Sequence, residues 1–194
     1  MQHSENKIRI AIFASGSGTN AENCMRYFKD HSKITIALIV TNNPEAGVIK
    51  RAEKYNVPVH ILEKNTLKNP EIIITELQSQ KINWIVLAGY LKLIPAKLIE
   101  AFPQRIINIH PALLPKYGGR GMYGHKVHES VFANKEKESG ITIHYVDEHY
   151  DNGAIIFQKS FLISETDTPE TIEKKVRELE FAFLPEVIER AVLN

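Results

Sequence analysis

Short apolar runs alternate with amphipathic stretches through the first half of the chain. Residues 8–13 (IRIAIF), 34–40 (ITIALIV) and 84–88 (WIVLA) are apolar at nearly every position. That is the pattern of strands buried on both faces. Shorter runs at 57–62 and 105–109 predict two more strands. Helical spacing appears between them, over 20–30, 46–55, 70–80 and 95–101. Pro70 opens the third of these, where its missing N–H does no harm. The cluster Thr41-Asn42-Asn43-Pro44 ends the second strand. Regular strand–helix alternation predicts a parallel sheet with right-handed crossovers.

The second half changes character. Residues 110–124 hold two prolines and four glycines and read as a loop. A helix is predicted over 126–134. Strands over 140–146 and 154–161 flank the turn EHYDNG, so an antiparallel hairpin is expected on the sheet. The last element is a long helix over 168–192, with a kink expected at Pro185. Its approach, Ser164 to Glu170, carries capping residues, a proline and acids as a helix start should.

Length and charge narrow the function classes. A chain of 194 residues suits one domain and should bury roughly 70% of its unfolded surface. There are 24 Lys and Arg against 23 Asp and Glu, which argues against a chain-wide nucleic-acid surface. Cys24 is the only cysteine. It excludes an internal disulfide framework and favours a reducing compartment. No run approaches the length of a membrane span, and the N-terminus lacks the form of a signal peptide. A cytoplasmic protein is expected. Eight histidines are present, five of them (His110, His125, His128, His144, His149) within forty residues.

Three segments carry candidate chemistry. Gly16-Ser17-Gly18-Thr19-Asn20-Ala21 follows the first strand and fits the form G-x-G-x-x-A. A dinucleotide site also wants an acid after the second strand, where Asn42 and Asn43 stand instead. A phosphate held by Gly18, Thr19 and Asn20, and an unliganded turn, remain as readings. Asn108 and His110 are two apart at the end of a predicted strand, so both side chains share one side of the sheet. An Asn amide can donate to a developing oxyanion, and a His moves protons near neutral pH. A cap and a satisfied core histidine are the structural alternatives. Asp151, in Asp-Asn-Gly, is a turn residue by type. As a functional carboxylate it would raise the pKa of a facing histidine. His125 and His128 share a helix face, and His144, Asp147 and Asp151 are ligand types, but no His-Glu-x-x-His is present and no metal is expected. Cys24 is expected in the core.

Taken together, IAIFASGSGTN, VLAGYLKLIP, INIHPALLPKY, GITIHYVDEHYDNGAIIFQ and ELEFAFLPEV resemble the folate-dependent glycinamide ribonucleotide formyltransferase family. The resemblance covers nearly the whole chain. It implies an α/β, Rossmann-like three-layer α/β/α fold. The central sheet is mostly parallel, with an antiparallel C-terminal hairpin and a long final helix. A single domain over 1–194 is expected. Asn108, His110 and Asp151 match the family's catalytic trio, and His144 a supporting histidine. Gly18, Thr19, Asn20 and Glu180 match positions that bind the ribonucleotide. Leu91, Lys92, Leu93 and Ile94, with Asp147, Glu148, His149, Tyr150 and Asp151, match the folate side. The implied ligands are glycinamide ribonucleotide and 10-formyltetrahydrofolate as co-substrate, with no metal, nucleic acid or membrane partner. A monomer or homodimer is expected.

The chain departs from the family pattern in three places. Residues 117–124 form a longer segment, an arginine expected near Pro70 is absent with Lys68 close by, and Lys92 stands for an arginine. The nearest rivals are a methionyl-tRNA formyltransferase, which needs a further tRNA-binding domain, and a formyltetrahydrofolate hydrolase. A non-catalytic nucleotide-binding module is the rival of another class. The loop GSGTN and the retained trio favour the ribonucleotide enzyme.

Overall fold

The structure, a computed structural model, describes residues 7–64 and 66–194. The reading of the extreme N-terminus as no signal peptide therefore falls in part on residues 1–6, outside the described residues. Among the described residues, seven strands form one sheet in the order β3-β2-β1-β4-β5-β6-β7. They are β1 (Ile8–Phe13), β2 (Ile34–Thr41), β3 (Val59–Ile61), β4 (Trp84–Leu87), β5 (Ile106–His110), β6 (Glu138–Tyr145) and β7 (Ile155–Leu162). The first five pair in parallel, while β6 runs antiparallel to β5 and β7 antiparallel to β6. The helices are α1 (Thr19–Phe28), α2 (Gly47–Lys54), α3 (Glu71–Ser79), α4 (Ala96–Ala101), α5 (His125–Ala133) and α6 (Pro169–Leu193). One short 3₁₀ turn, Thr66–Lys68, precedes α3.

Alternation along the buried strands divides the core into two layers. In β1, Ile10 and Ile12 pack with Cys24 and Phe28 of α1, Val48 of α2 and Ile172, Leu184 and Ile188 of α6. Ala11 and Phe13 face the other way, against Ile73 and Leu77 of α3 and Leu98 of α4. These are the two helical layers on either face of the sheet. The chain winds outward from β1 to β3, then returns to place β4 on β1's other side. Ligands of open α/β sheets bind at this reversal, beyond the carboxyl ends of the strands.

The long final helix starts at a capping box. Thr168 Oγ1 accepts from the Thr171 N–H, and Thr171 Oγ1 accepts from the Thr168 N–H. The expected kink at Pro185 does not end or divide the element, which stays one α-helix of 25 residues. Proline removes the N–H that would bond the carbonyl four residues back. That carbonyl, on Phe181, accepts instead from Asn23 Nδ2 of α1 at 2.7 Å.

Candidate active site

The ends of β1, β4 and β5 open into a cleft of about 690 Å³. Asn108 and His110 both line it, as strand alternation requires. His144 lies directly across the ladder from Asn108. His144 Nδ1 donates to the Tyr145 carbonyl at 2.7 Å, which leaves its Nε2 to accept from Asn108 Nδ2 at 3.1 Å. The Asn108 amide also donates to Asp151 Oδ1 at 3.3 Å. Both amide hydrogens are thus engaged, the second through the longer bond.

Asp151 arrives on the turn between β6 and β7. It adopts left-handed backbone, φ 54°, which an Asp tolerates better than most residues. Its turn role and its place in the cleft coincide. Gly153 lets this turn fold back on β6, since a Cβ there would meet the Tyr145 carbonyl at 1.9 Å. Asp151 Oδ2 accepts from the Gly119 N–H at 2.9 Å and lies 3.5 Å from His110 Nδ1. The other ring nitrogen of His110, Nε2, donates to the Tyr117 carbonyl at 2.8 Å.

Burial sets the titration of His110, which is 3% exposed. Desolvation pulls its pKa below the ordinary value, and the Asp151 carboxylate and the Tyr117 carbonyl recover only part. This corrects the expectation of a raised histidine pKa: the carboxylate acts in the expected direction, but burial outweighs it. Burial pushes the Asp151 pKa up. The nearby His144 ring, the charge of His110 and the Gly119 N–H bond push it down further, so the carboxyl ends below its usual range.

At the other end of the cleft, Gly18 turns the chain into α1 in left-handed backbone, φ 75°, where a Cβ would strike Val48 at 2.5 Å. No side chain caps α1, so its first-turn N–H groups remain available to an anion. Gly18, Thr19 and Asn20 all line the cleft, as does Glu180. Asn20 Nδ2 donates to Glu180 Oε2 at 2.9 Å. Burial raises the Glu180 pKa, and the Asn20 bond and the Arg177 charge offset part of that.

The folate-side expectations divide. Leu91, Lys92, Tyr150 and Asp151 line the cleft, whereas Leu93, Ile94, Asp147, Glu148 and His149 do not. Ile94 is spent on the core beneath α3 and α4. Asp147 shapes the turn, accepting from the His149 N–H and from Asn152 Nδ2. Arg120, Met122, Tyr123, Glu173 and Arg177, to which the sequence assigned no role, also line the cleft, as does His128 of the histidine cluster. Positions 173, 177 and 180 recur at helical spacing on α6, a signal that could have attached Arg177 to Glu180. It supplies a basic group where none was assigned. Lys68 and Pro70 lie away from the cleft lining.

The remaining candidates take structural places. His125 is exposed and pairs with Glu173 at 2.7 Å, whereas His128 is 3% exposed and burial lowers its pKa to about 4. Cys24 is fully buried and its thiol is pushed up to about 12, far from a reactive thiolate. Among the described residues, no group of three or more His, Cys, Asp or Glu is arranged to hold a metal, and no helix is long and apolar enough to cross a membrane.

Residues 8–188 match the family model described as formyl transferase. The phosphoribosylglycinamide formyltransferase of Bacillus subtilis is 40% identical over 187 residues, covering 94% of this chain and 93% of that protein. The chloroplastic enzyme of that name from Arabidopsis thaliana is 38% identical, and the one from Vigna unguiculata 39%. The chain spans 66% and 60% of the length of these two plant relatives. Among solved structures, phosphoribosylglycinamide formyltransferase from Bacillus halodurans superposes with a TM-score of 0.85 at 37% identity, covering 94% of each chain. A match that runs from the first strand into the last helix, at identities of this size, makes the chain a member of the formyl transferase family.

Proposed function

We propose that the chain transfers the formyl group of 10-formyltetrahydrofolate to the amine of glycinamide ribonucleotide, the activity its named relatives carry. The observation that bears most weight is the convergence of Asn108, His110 and Asp151 on one cleft that also holds an uncapped helix N-terminus, Glu180 and Arg177. The α1 N–H groups and Arg177 suit the ribonucleotide phosphate. Glu180 suits the ribose hydroxyls, and Leu91, Lys92 and Tyr150 suit the folate end.

The reaction then follows from residue chemistry. The substrate amine forms a bond to the formyl carbon, and the carbonyl electron pair moves onto oxygen. Asn108 donates to that oxyanion by giving up its longer bond, the one to Asp151. The new negative charge offsets the burial that disfavours the His110 imidazolium. The one proton that the amine sheds therefore passes, through a water and Asp151, to His110 Nδ1. The oxyanion pair then re-forms the carbonyl, the bond from carbon to the folate nitrogen breaks, and His110 gives that proton to the leaving nitrogen. No covalent enzyme intermediate is involved.

The test is an assay with glycinamide ribonucleotide and 10-formyltetrahydrofolate that follows release of tetrahydrofolate. Release that depends on the ribonucleotide is expected. Release without it would identify a hydrolase, and no release would reject the reaction.

A further inference from the structure

His110 offers its two ring nitrogens to different neighbours: Nδ1 faces Asp151 at 3.5 Å, and Nε2 meets the Tyr117 carbonyl at 2.8 Å. A carbonyl only accepts, so the neutral ring carries its proton on Nε2 and turns the Nδ1 lone pair toward Asp151. Which nitrogen can exchange a proton is therefore decided by where the Tyr117 carbonyl points.

That carbonyl belongs to a residue in left-handed backbone, φ 57°. For a bulky L residue this costs about 1–2 kcal/mol, so side-chain contacts must hold it. The Tyr117 phenol donates to Glu136 Oε1 at 2.9 Å, and Lys116 Nζ holds the same carboxylate at 3.0 and 3.2 Å. Glu136 lies just beyond α5, so the tie joins the loop after β5 to the segment leading into β6. These three side chains line a second cleft of about 420 Å³, which shares no lining residue with the first. Nothing in the proposed chemistry uses them.

We propose that Tyr117 is the positioning residue of His110: its phenol, anchored on Glu136, aims the Tyr117 carbonyl at Nε2–H and so reserves Nδ1 for proton exchange beside Asp151. The kinetic consequence rests on the proposed transferase reaction. The tautomer itself does not.

The experiment is nitrogen NMR of the full chain labelled at histidine, with steady-state kinetics alongside. In the wild type, the neutral His110 ring should be the Nε2–H form. Tyr117→Phe and Glu136→Ala each remove the anchor. Each should populate the Nδ1–H form and lower kcat about tenfold, with less than about a twofold change in either KM. Glu136→Gln keeps an accepting oxygen and should restore the tautomer and most of kcat. A wild-type ring protonated on Nδ1, or an unchanged tautomer ratio in both anchor variants, overturns the proposal whatever the kinetics. The expected tautomer change in a protein that fails to transfer formyl groups would reject the reaction and leave the positioning role intact.

Discussion

At the scale of single residues, the site is a contest between burial and charge. Asp151 raises the His110 pKa, and burial lowers it by more. Asp151→Asn removes the opposing charge, so the His110 pKa should fall further and turnover should drop by about a hundredfold or more. An NMR titration of His110 and a turnover measurement check both. An unchanged pKa would contradict the pairing. The candidate residues themselves were legible in the sequence. Two positions apart on a strand put Asn108 and His110 on one side, and Asp-Asn-Gly marked a turn that brings Asp151 back. The net titration was not legible, because it turns on how deeply His110 is buried and on a contact to the loop after β5, neither of which periodicity reports. The same gap hid Tyr117, whose contribution is a backbone carbonyl and carries no residue-type signal.

Elements were legible to within about two residues in most cases, because buried strands and amphipathic helices announce themselves in the spacing of their apolar residues. The 3₁₀ turn Thr66–Lys68 gave no such signal. Pro185 is the instructive case, since a proline inside a helix reads as a kink or an end. Here the carbonyl it orphans is satisfied from another helix, by Asn23, which is buried and also accepts from Arg26. That compensation is a tertiary fact, separated by 158 positions in sequence. Asn23→Leu leaves the Phe181 carbonyl without its partner and should cost ~1–3 kcal/mol of stability. Pro185→Ala restores the missing N–H within α6, so in that background the cost of Asn23→Leu should shrink. Denaturant unfolding of the four proteins measures the coupling. Equal costs in both backgrounds would show that the bond does not compensate for the proline.

For the whole molecule, buried histidines set the response to acid. His128 has a folded pKa near 4, below its unfolded value. A depressed pKa contributes stability that is fully present above about pH 6.5 and is lost as pH falls toward 4, up to ~3 kcal/mol. His110 shifts in the same direction. His125 has a raised pKa and acts with the opposite sign, but its exposed contacts are screened by solvent. Carboxylates held low, such as Asp151 and Asp167, add a second loss only below about pH 4. Urea unfolding between pH 7 and 4 should therefore show a decline that His128→Asn flattens. A stability independent of pH over that range would refute the assignment. The tie between Asn20 and Glu180 spans 160 positions and joins α1 to α6 at the cleft. Contacts of such long range form late and slow folding. During synthesis the glycine loop and the parallel strands are made well before residue 180, so Asn20 has no Glu180 to bond until that residue has left the ribosome. Only the last stretch of synthesis, after β7 ends at Leu162, presents all seven strands without a usable cleft, with the face of α1 still uncovered by α6.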